Sequence, residues 1–202
     1  MPEAGRVVAG TARGTRLLAP GEGTRPLADR VKQTLFGVLE GGSLGPWPVP
    51  FLDLYAGSGA AGIEALSRGA PGALFVERDA TAAHVIADNL RRAGLAGSGL
   101  VVRGDALAVL SKGRSGRVGG FGAALLDPPY GDPAIIPALE RLADTSLDWM
   151  ALGAVVVAKR FWREELPDRV EGLVKRRERR FGETMLTFYV LEGPTGREEA
   201  SG

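Results

Sequence analysis

The stretch Asp53-Leu54-Tyr55-Ala56-Gly57-Ser58-Gly59-Ala60-Ala61-Gly62 decides the fold. An apolar run, Phe51–Tyr55, ends in a glycine turn of the pattern G-x-G-x-x-G and passes into a helical stretch near Gly62–Arg68. Strand, glycine turn and helix in that order open a βαβ unit, where a ligand meets backbone amides at a helix N-terminus. The glycines permit a tight turn and close approach of a ligand to the main chain. The same pattern serves dinucleotides and S-adenosylmethionine. An acidic Asp53 inside the strand suits a cationic ligand, which inclines the choice toward the sulfonium cofactor.

Outward from this unit the chain alternates in the same way. Strand-like runs recur at Ala73–Val76, Leu100–Arg103, Ala123–Leu126, Ala154–Ala158 and Met185–Leu191, with helical stretches at Ala80–Ala93 and Pro133–Leu142. Short, nearly continuous apolar strands separated by helices predict a parallel sheet covered on both faces. Arg179-Arg180-Phe181-Gly182-Glu183-Thr184 leading into Met185–Leu191 predicts a closing hairpin at the sheet edge. Before the glycine turn, residues 1–23 read as a β-hairpin or extended arm. Thr24-Arg25-Pro26 then introduces a helix with Leu27, Val31, Leu35, Val38 and Leu39 at helical spacing, stopped by Gly41-Gly42. The expected organisation is an N-terminal extension over 1–45, a main domain over 46–192 and a disordered tail over 193–202.

In open α/β sheets, ligands bind beyond the carboxyl ends of the strands. The polar residues fall there: Asp53 through Gly59 at the first strand, Glu77 at the second, Asp105 after the third, and Asp127-Pro128-Pro129-Tyr130 after the fourth. Tyr55, Ala56, Gly57, Ser58 and Gly59 form the expected cradle. Glu77 with Arg78 is placed to meet a ribose, and Asp105 with Ala106 to meet an adenine amine or to cap a helix. Asn89 and the single histidine, His84, read as packing and solvated residues.

Asp127-Pro128-Pro129-Tyr130 carries the chemistry. A nucleobase amine is a poor nucleophile because its lone pair is delocalised into the ring. Two fixed acceptors, the Asp127 carboxylate and the Pro128 carbonyl, would favour the pyramidal nitrogen that attacks. Prolines restrict the backbone, and Tyr130 offers a ring face to a flipped-out base. Dehydrogenases do not need this motif.

Composition narrows the classes further. The chain has 202 residues, 45% hydrophobic and 24% charged, and a net charge of +1, the make-up of one soluble globular domain. No apolar run approaches a membrane span and no targeting leader is read, so the expected location is cytoplasmic. The absence of cysteine removes disulfides, thiolate zinc sites and the attacking thiolate that methylation of a pyrimidine ring carbon needs. Four lysines leave arginine as 21 of the 25 basic residues, a composition suited to phosphate and equally the product of an arginine-biased genome. Arg6, Arg13 and Arg16 at one end, and Lys175-Arg176-Arg177 with Arg179-Arg180 at the other, are candidate phosphate contacts; a solvated charged face is the alternative for the second cluster.

These residues together resemble the bacterial 16S rRNA guanine-N2 methyltransferases of the RsmD type, over nearly the whole chain. The resemblance rests on Arg6–Gly10 with Arg13-Gly14, Thr24-Arg25-Pro26 with Asp29-Arg30-Val31, Leu35-Phe36, Asp53–Gly59, Gly62–Ala70, Glu77, Asn89, Asp127–Tyr130 and Phe181–Thr184. It implies a Rossmann-like class I fold, α/β, with a seven-stranded, mostly parallel sheet. It implies S-adenosylmethionine as cofactor, no metal, no membrane, and a monomer acting on one guanine of a 16S rRNA hairpin loop in assembled or partly assembled small ribosomal subunits. It also implies that the N-terminal arm and Arg25 lie near cofactor and RNA. Where the family often carries glutamate after the fifth strand, this chain has Lys159-Arg160, read as a change of surface charge or RNA contact. The alternatives are a DNA adenine or cytosine amino-methyltransferase, an RNA-binding assembly factor with incidental catalysis, and a nicotinamide oxidoreductase.

Overall fold

A computed structural model describes residues 3–21, 27–114 and 120–193; Thr24, Arg25, Pro26 and the tail from 194 lie outside them. The chain runs β1 (Glu3–Arg6), β2 (Arg16–Leu18), α1 (Asp29–Glu40), β3 (Phe51–Leu54), α2 (Ala60–Ser67), β4 (Ala73–Glu77), α3 (Ala80–Arg92) and β5 (Gly99–Arg103). It continues through α4 (Ala106–Leu110), β6 (Phe121–Leu126), α5 (Ile135–Ala143), β7 (Met150–Phe161), β8 (Arg169–Val170), β9 (Leu173–Phe181) and β10 (Thr184–Leu191). The main sheet has the order β5-β4-β3-β6-β7-β10-β9-β8, with β3 to β7 parallel and β10 antiparallel to both its neighbours. One core lies between the sheet and α1, α2 and α3; a second lies between the sheet, α4 and α5.

The architecture is the α/β class I arrangement, with three differences from expectation. The sheet has eight strands, because the two-residue β8 pairs with β9 at Arg169↔Val174 and Val170↔Leu173. So short a segment carries no periodicity, and only its partner makes it a strand. The charged run from Lys175 to Arg180 is nearly all of β9, so β10 is interior and the edge is β8. Leu186, Phe188 and Tyr189 of β10 are accordingly fully buried. β7 extends to 12 residues, well beyond Ala154–Ala158, because β10 pairs with it as far as Phe161.

The N-terminal extension shares the main core. Ala4, Val7 and Leu17 of the hairpin and Leu35 and Phe36 of α1 pack in one cluster with Phe51, Ile63 and Phe75. Polar side chains from the main domain fasten the hairpin. Glu64 on α2 is 0% exposed, accepts from the Val8 and Ala9 backbone N–H groups at 2.7 and 3.0 Å, and pairs with Arg68. Asn89 on α3 exchanges hydrogen bonds with both the N–H and the carbonyl of Leu18 and donates to the Ser58 carbonyl. Gly10 sits where an added Cβ would fall 1.8 Å from the Ser67 carbonyl oxygen, so only glycine allows the approach. Among the described residues no helix is long and apolar enough to cross a membrane.

Glu64→Ala removes the shared acceptor of two backbone donors and a guanidinium in a buried place. We expect it to cost about 3 kcal/mol in urea unfolding, with Glu64→Gln costing less because it keeps an acceptor oxygen. A loss below about 1 kcal/mol for the alanine variant would show that the hairpin is not held through this carboxylate.

Candidate active site

The strand order reverses beside β3, where β4 lies on one side and β6 on the other, and the crossovers leave a crevice at the carboxyl edge. A cavity of about 540 Å³ opens there, within the range of small-molecule sites. It is lined by Asp53, Tyr55, Ala56, Gly57, Ser58, Glu77, Arg78, Asp105, Ala106, Asp127, Pro128, Pro129 and Tyr130. The expected cofactor and catalytic residues therefore share one cavity, apart from Gly59, which shapes the loop from behind. Pro20, Gly21 and Leu27 also line it, so chain on both sides of the segment 22–26 forms a wall. Arg25 belongs to that segment and lies outside the described residues.

Each glycine of the turn has its own reason. Gly57 and Gly59 have φ of 55° and 76°, left-handed values that favour glycine. Gly62 is helical, and an added Cβ would fall 2.2 Å from the Phe75 ring, so its lack of side chain sets how closely α2 lies on β4. Two carboxylates hold the turn. Asp53 accepts from the Gly62 N–H at 2.8 Å. Glu77 accepts from Gly57 N–H at 2.8 Å and from Asp79 N–H at 2.9 Å. Asp105 caps α4 by accepting from Ala108 N–H at 2.9 Å, and it also lines the cavity.

The cavity is acidic. Among the described residues, six carboxyl groups (Asp53, Glu77, Asp79, Asp105, Asp127 and Asp132) line it against two cations, Arg78 and Lys159. Asp53 is only 2% exposed, and burial drives its carboxyl well above the ordinary range. The Gly62 N–H works against that shift, and the Asp127 and Glu77 carboxylates add to it. Tyr55, with φ of 60°, lines the cavity, and its buried hydroxyl has no hydrogen-bond partner among the described residues. Burial first, then the Asp132 and Asp105 carboxylates, pushes that phenol up to about 12.

The loop after β6 is anchored from several sides. Asp127 N–H donates to the Leu54 carbonyl at 3.3 Å. The Pro129 carbonyl accepts from Asp132 N–H at 3.1 Å, whereas no backbone N–H among the described residues reaches the Pro128 carbonyl. Tyr130 hydroxyl and Thr184 Oγ1 are 2.7 Å apart, and the Tyr130 ring lies 5.8 Å from that of Phe161. Burial raises the Asp127 carboxyl, and the nearby Lys159 ammonium opposes the rise.

Of the two readings of Lys159, surface charge or RNA contact, the structure overturns the first. The side chain lines the cavity, with its ammonium 2.5 Å from Asp127 Oδ1 and 5.3 Å from the Tyr130 ring centre. The parallel register pairs Leu126 with Ala158, so the next residues, Asp127 and Lys159, emerge side by side. Strand alternation sends Arg160 to the opposite face, where it is buried against Glu178 and Thr187. Neither position is a plain surface charge.

Three rings run outward from the loop. Tyr130, Phe161 and Trp162 follow one another at 5.8 and 6.2 Å, and the guanidiniums of Arg180 and Arg163 lie 3.7 and 4.9 Å from the Trp162 ring centre. Phe161 and Trp162 escaped the sequence reading because nothing before the sheet is assembled places them beside Tyr130. The other candidate arginines lie away from the cavity. Arg6 pairs with Asp29, Arg16 pairs with Glu3, and Arg13 is exposed. Of the second basic cluster, Lys175 pairs with Asp168 and Arg176 with Glu192.

The chain matches the family described as conserved hypothetical protein 95 over residues 5–190. It is 36% identical over 193 residues to YlbH of Bacillus subtilis, covering 93% of this chain and 100% of the relative. It is 31% identical over 195 residues to ribosomal RNA small subunit methyltransferase D of Escherichia coli, covering 93% of this chain and 90% of that one. The solved structure of the Escherichia coli protein yhhF superposes with a TM-score of 0.77 at 30% identity, covering 93% of this chain and 97% of the other. With the family matched over residues 5–190 and relatives above 30% identity along 93% of its length, the chain belongs to this family, the RsmD type of methyltransferase.

Proposed function

We propose that the protein transfers a methyl group from S-adenosylmethionine to the exocyclic N2 amine of one guanine in a hairpin loop of 16S rRNA, within assembled or partly assembled small ribosomal subunits. The observation that carries the amine chemistry is the pair of acceptors lining an acidic cavity, the Asp127 carboxylate and the Pro128 carbonyl, which no backbone N–H among the described residues reaches. The choice of ribosomal RNA is supported by the name of the Escherichia coli relative, and the choice of guanine by the resemblance in sequence alone.

The cavity fits the cofactor in charge and in hydrogen bonding. An excess of carboxylates favours a sulfonium cation and repels the diphosphate of a dinucleotide. The unpartnered Tyr55 hydroxyl is a donor with nothing to bond until a ligand enters. Asp53, the Gly57–Gly59 backbone, Glu77, Arg78, Asp105 and Ala106 would hold the group; Glu77 and Asp105 each keep lone pairs for it beyond those used on the backbone. When bound, S-adenosylmethionine supplies an electrophilic methyl carbon on sulfur.

The protein's own residues act on the base. Asp127 and the Pro128 carbonyl accept the two amine hydrogens, which turns the nitrogen lone pair out of conjugation and toward the methyl group. As the amine nitrogen gains the methyl group, its extra proton would pass to Asp127 or water. Tyr130, 37% exposed, stacks the extruded base, a displacement that costs least in a single-stranded loop. The ring series through Trp162, with Arg163 and Arg180, gives flanking nucleotides a stacking and phosphate-binding surface.

Titration calorimetry checks the cofactor: S-adenosylmethionine and S-adenosylhomocysteine should bind and NAD should not, and the reverse order would overturn the assignment. The two ligands differ by the sulfonium charge, and Asp53 ionises at a raised pH. Preference for S-adenosylmethionine over the neutral product should therefore grow as pH rises through that range. Tyr55→Phe should weaken both ligands about five-fold without destabilising the ligand-free protein, since it removes a donor that has no partner there.

Labelled S-adenosylmethionine with small subunits from a strain lacking the gene should mark one guanine, and label in DNA instead would sink the rRNA assignment. Asp127→Ala should lower kcat at least about a hundred-fold with S-adenosylhomocysteine affinity nearly kept. Because the Asp127 carboxyl is raised and acts ionised, wild-type kcat should fall as pH drops through a limb lying above the ordinary carboxylate range.

A further inference from the structure

We propose that Lys159 is a positioning residue for methyl transfer: its ammonium holds one oxygen of Asp127 and the Tyr130 ring, so that the other carboxylate oxygen faces the incoming amine. This rests on Asp127 acting as the amine's acceptor. The ammonium lies 2.5 Å from Asp127 Oδ1 and 5.3 Å from the Tyr130 ring centre. Its backbone position is set by the β6–β7 register, which brings strand ends 126 and 158 opposite each other, and by β10, where Leu186 pairs with Lys159 and Thr184 holds the Tyr130 hydroxyl. Lys159 thus ties both side chains of the catalytic loop to the middle of the sheet.

The electrostatics point the same way. Asp127 faces the Asp53 carboxylate from β3 and the Lys159 ammonium from β7, with Tyr130 from its own loop. Burial disfavours ionisation of Asp127, and Lys159 is the cation among the described residues that favours it. Side-chain exposures of 16% for Lys159 and 24% for Asp127 leave the pair only lightly screened. A carboxylate has room for the ammonium on one oxygen and an amine N–H on the other. Held so, Asp127 is an ionised acceptor with a fixed direction before the base arrives, which serves the transition state more than ground-state binding.

The test compares Lys159→Met and Lys159→Arg with wild type, using labelled transfer to small subunits across pH. The methionine variant should lose about ten-fold in kcat, change KM for the subunit less than about three-fold, and move the acid limb of kcat to higher pH. The arginine variant, which keeps the charge, should restore the position of the limb. A methionine variant with wild-type kcat and limb, or one that loses only KM as a phosphate contact would, overturns the proposal. Carbon-13 carboxyl NMR of Asp127 gives a readout independent of any substrate. Its titration should shift upward in Lys159→Met and stay in Lys159→Arg; no shift in either variant overturns the proposal whatever base the enzyme methylates. If wild type labels no guanine, the proposed substrate fails while this titration still decides the role of Lys159.

Discussion

The hydrogen bond from Gly62 N–H to the buried Asp53 carboxylate is the contact on which the site is built. It ties the end of β3 to the first turn of α2 and so sets the path of the glycine turn between them. An anion at a helix N-terminus is favourable, since the terminal N–H groups lack partners in the helix itself. Here the anion is also out of water, which is unfavourable, and it stands near two further carboxylates, Glu77 and Asp127. Ionisation of Asp53 is therefore disfavoured in the free protein, and the Gly62 N–H is the contact that opposes that cost.

The N-terminal extension answers a different constraint. A two-stranded hairpin is marginal alone and must bury its apolar face on something larger. Ala4, Val7 and Leu17 bury theirs in the core beneath α1, and the backbone donors left by a hairpin without further strands go to Glu64 and Asn89. Asn89 joins this brace to the cofactor loop, because one amide side chain bonds both Leu18 and the Ser58 carbonyl. Positioning of the arm and shape of the loop are thereby coupled, and the walls contributed by Pro20, Gly21 and Leu27 follow from the same docking.

On the other side of the crevice, the antiparallel strands do more than complete the sheet. β10 inserts between β7 and β9, and its pairing carries β7 out to Phe161. That extra length delivers Lys159 to Asp127 and brings Phe161 and Trp162 alongside Tyr130. The Asp127–Tyr130 loop is thus oriented from outside itself, by a neighbouring strand and by Thr184 at the start of β10. Prolines stiffen the loop, and the contacts from β7 and β10 aim it.

Much of this was legible in the chain alone, and for local reasons. The glycine turn, the order of strands and helices, and the delivery of Asp53, Glu77, Asp105 and Asp127 to one edge follow from patterns within short windows, because parallel strands joined by helices all point their carboxyl ends the same way. The proposal of an amine-binding role for Asp127–Tyr130 is likewise local, resting on which acceptors a Pro-Pro turn can fix. What only the tertiary structure decided is non-local. The strand status of Arg169–Val170, the interior place of β10 and the burial of Glu64 and Asn89 depend on partners as many as 71 residues away, which no periodicity records. Lys159 is the clearest case: next to Arg160 it reads as one of two surface charges. Register against β6 turns it to Asp127, and alternation turns Arg160 to the opposite face.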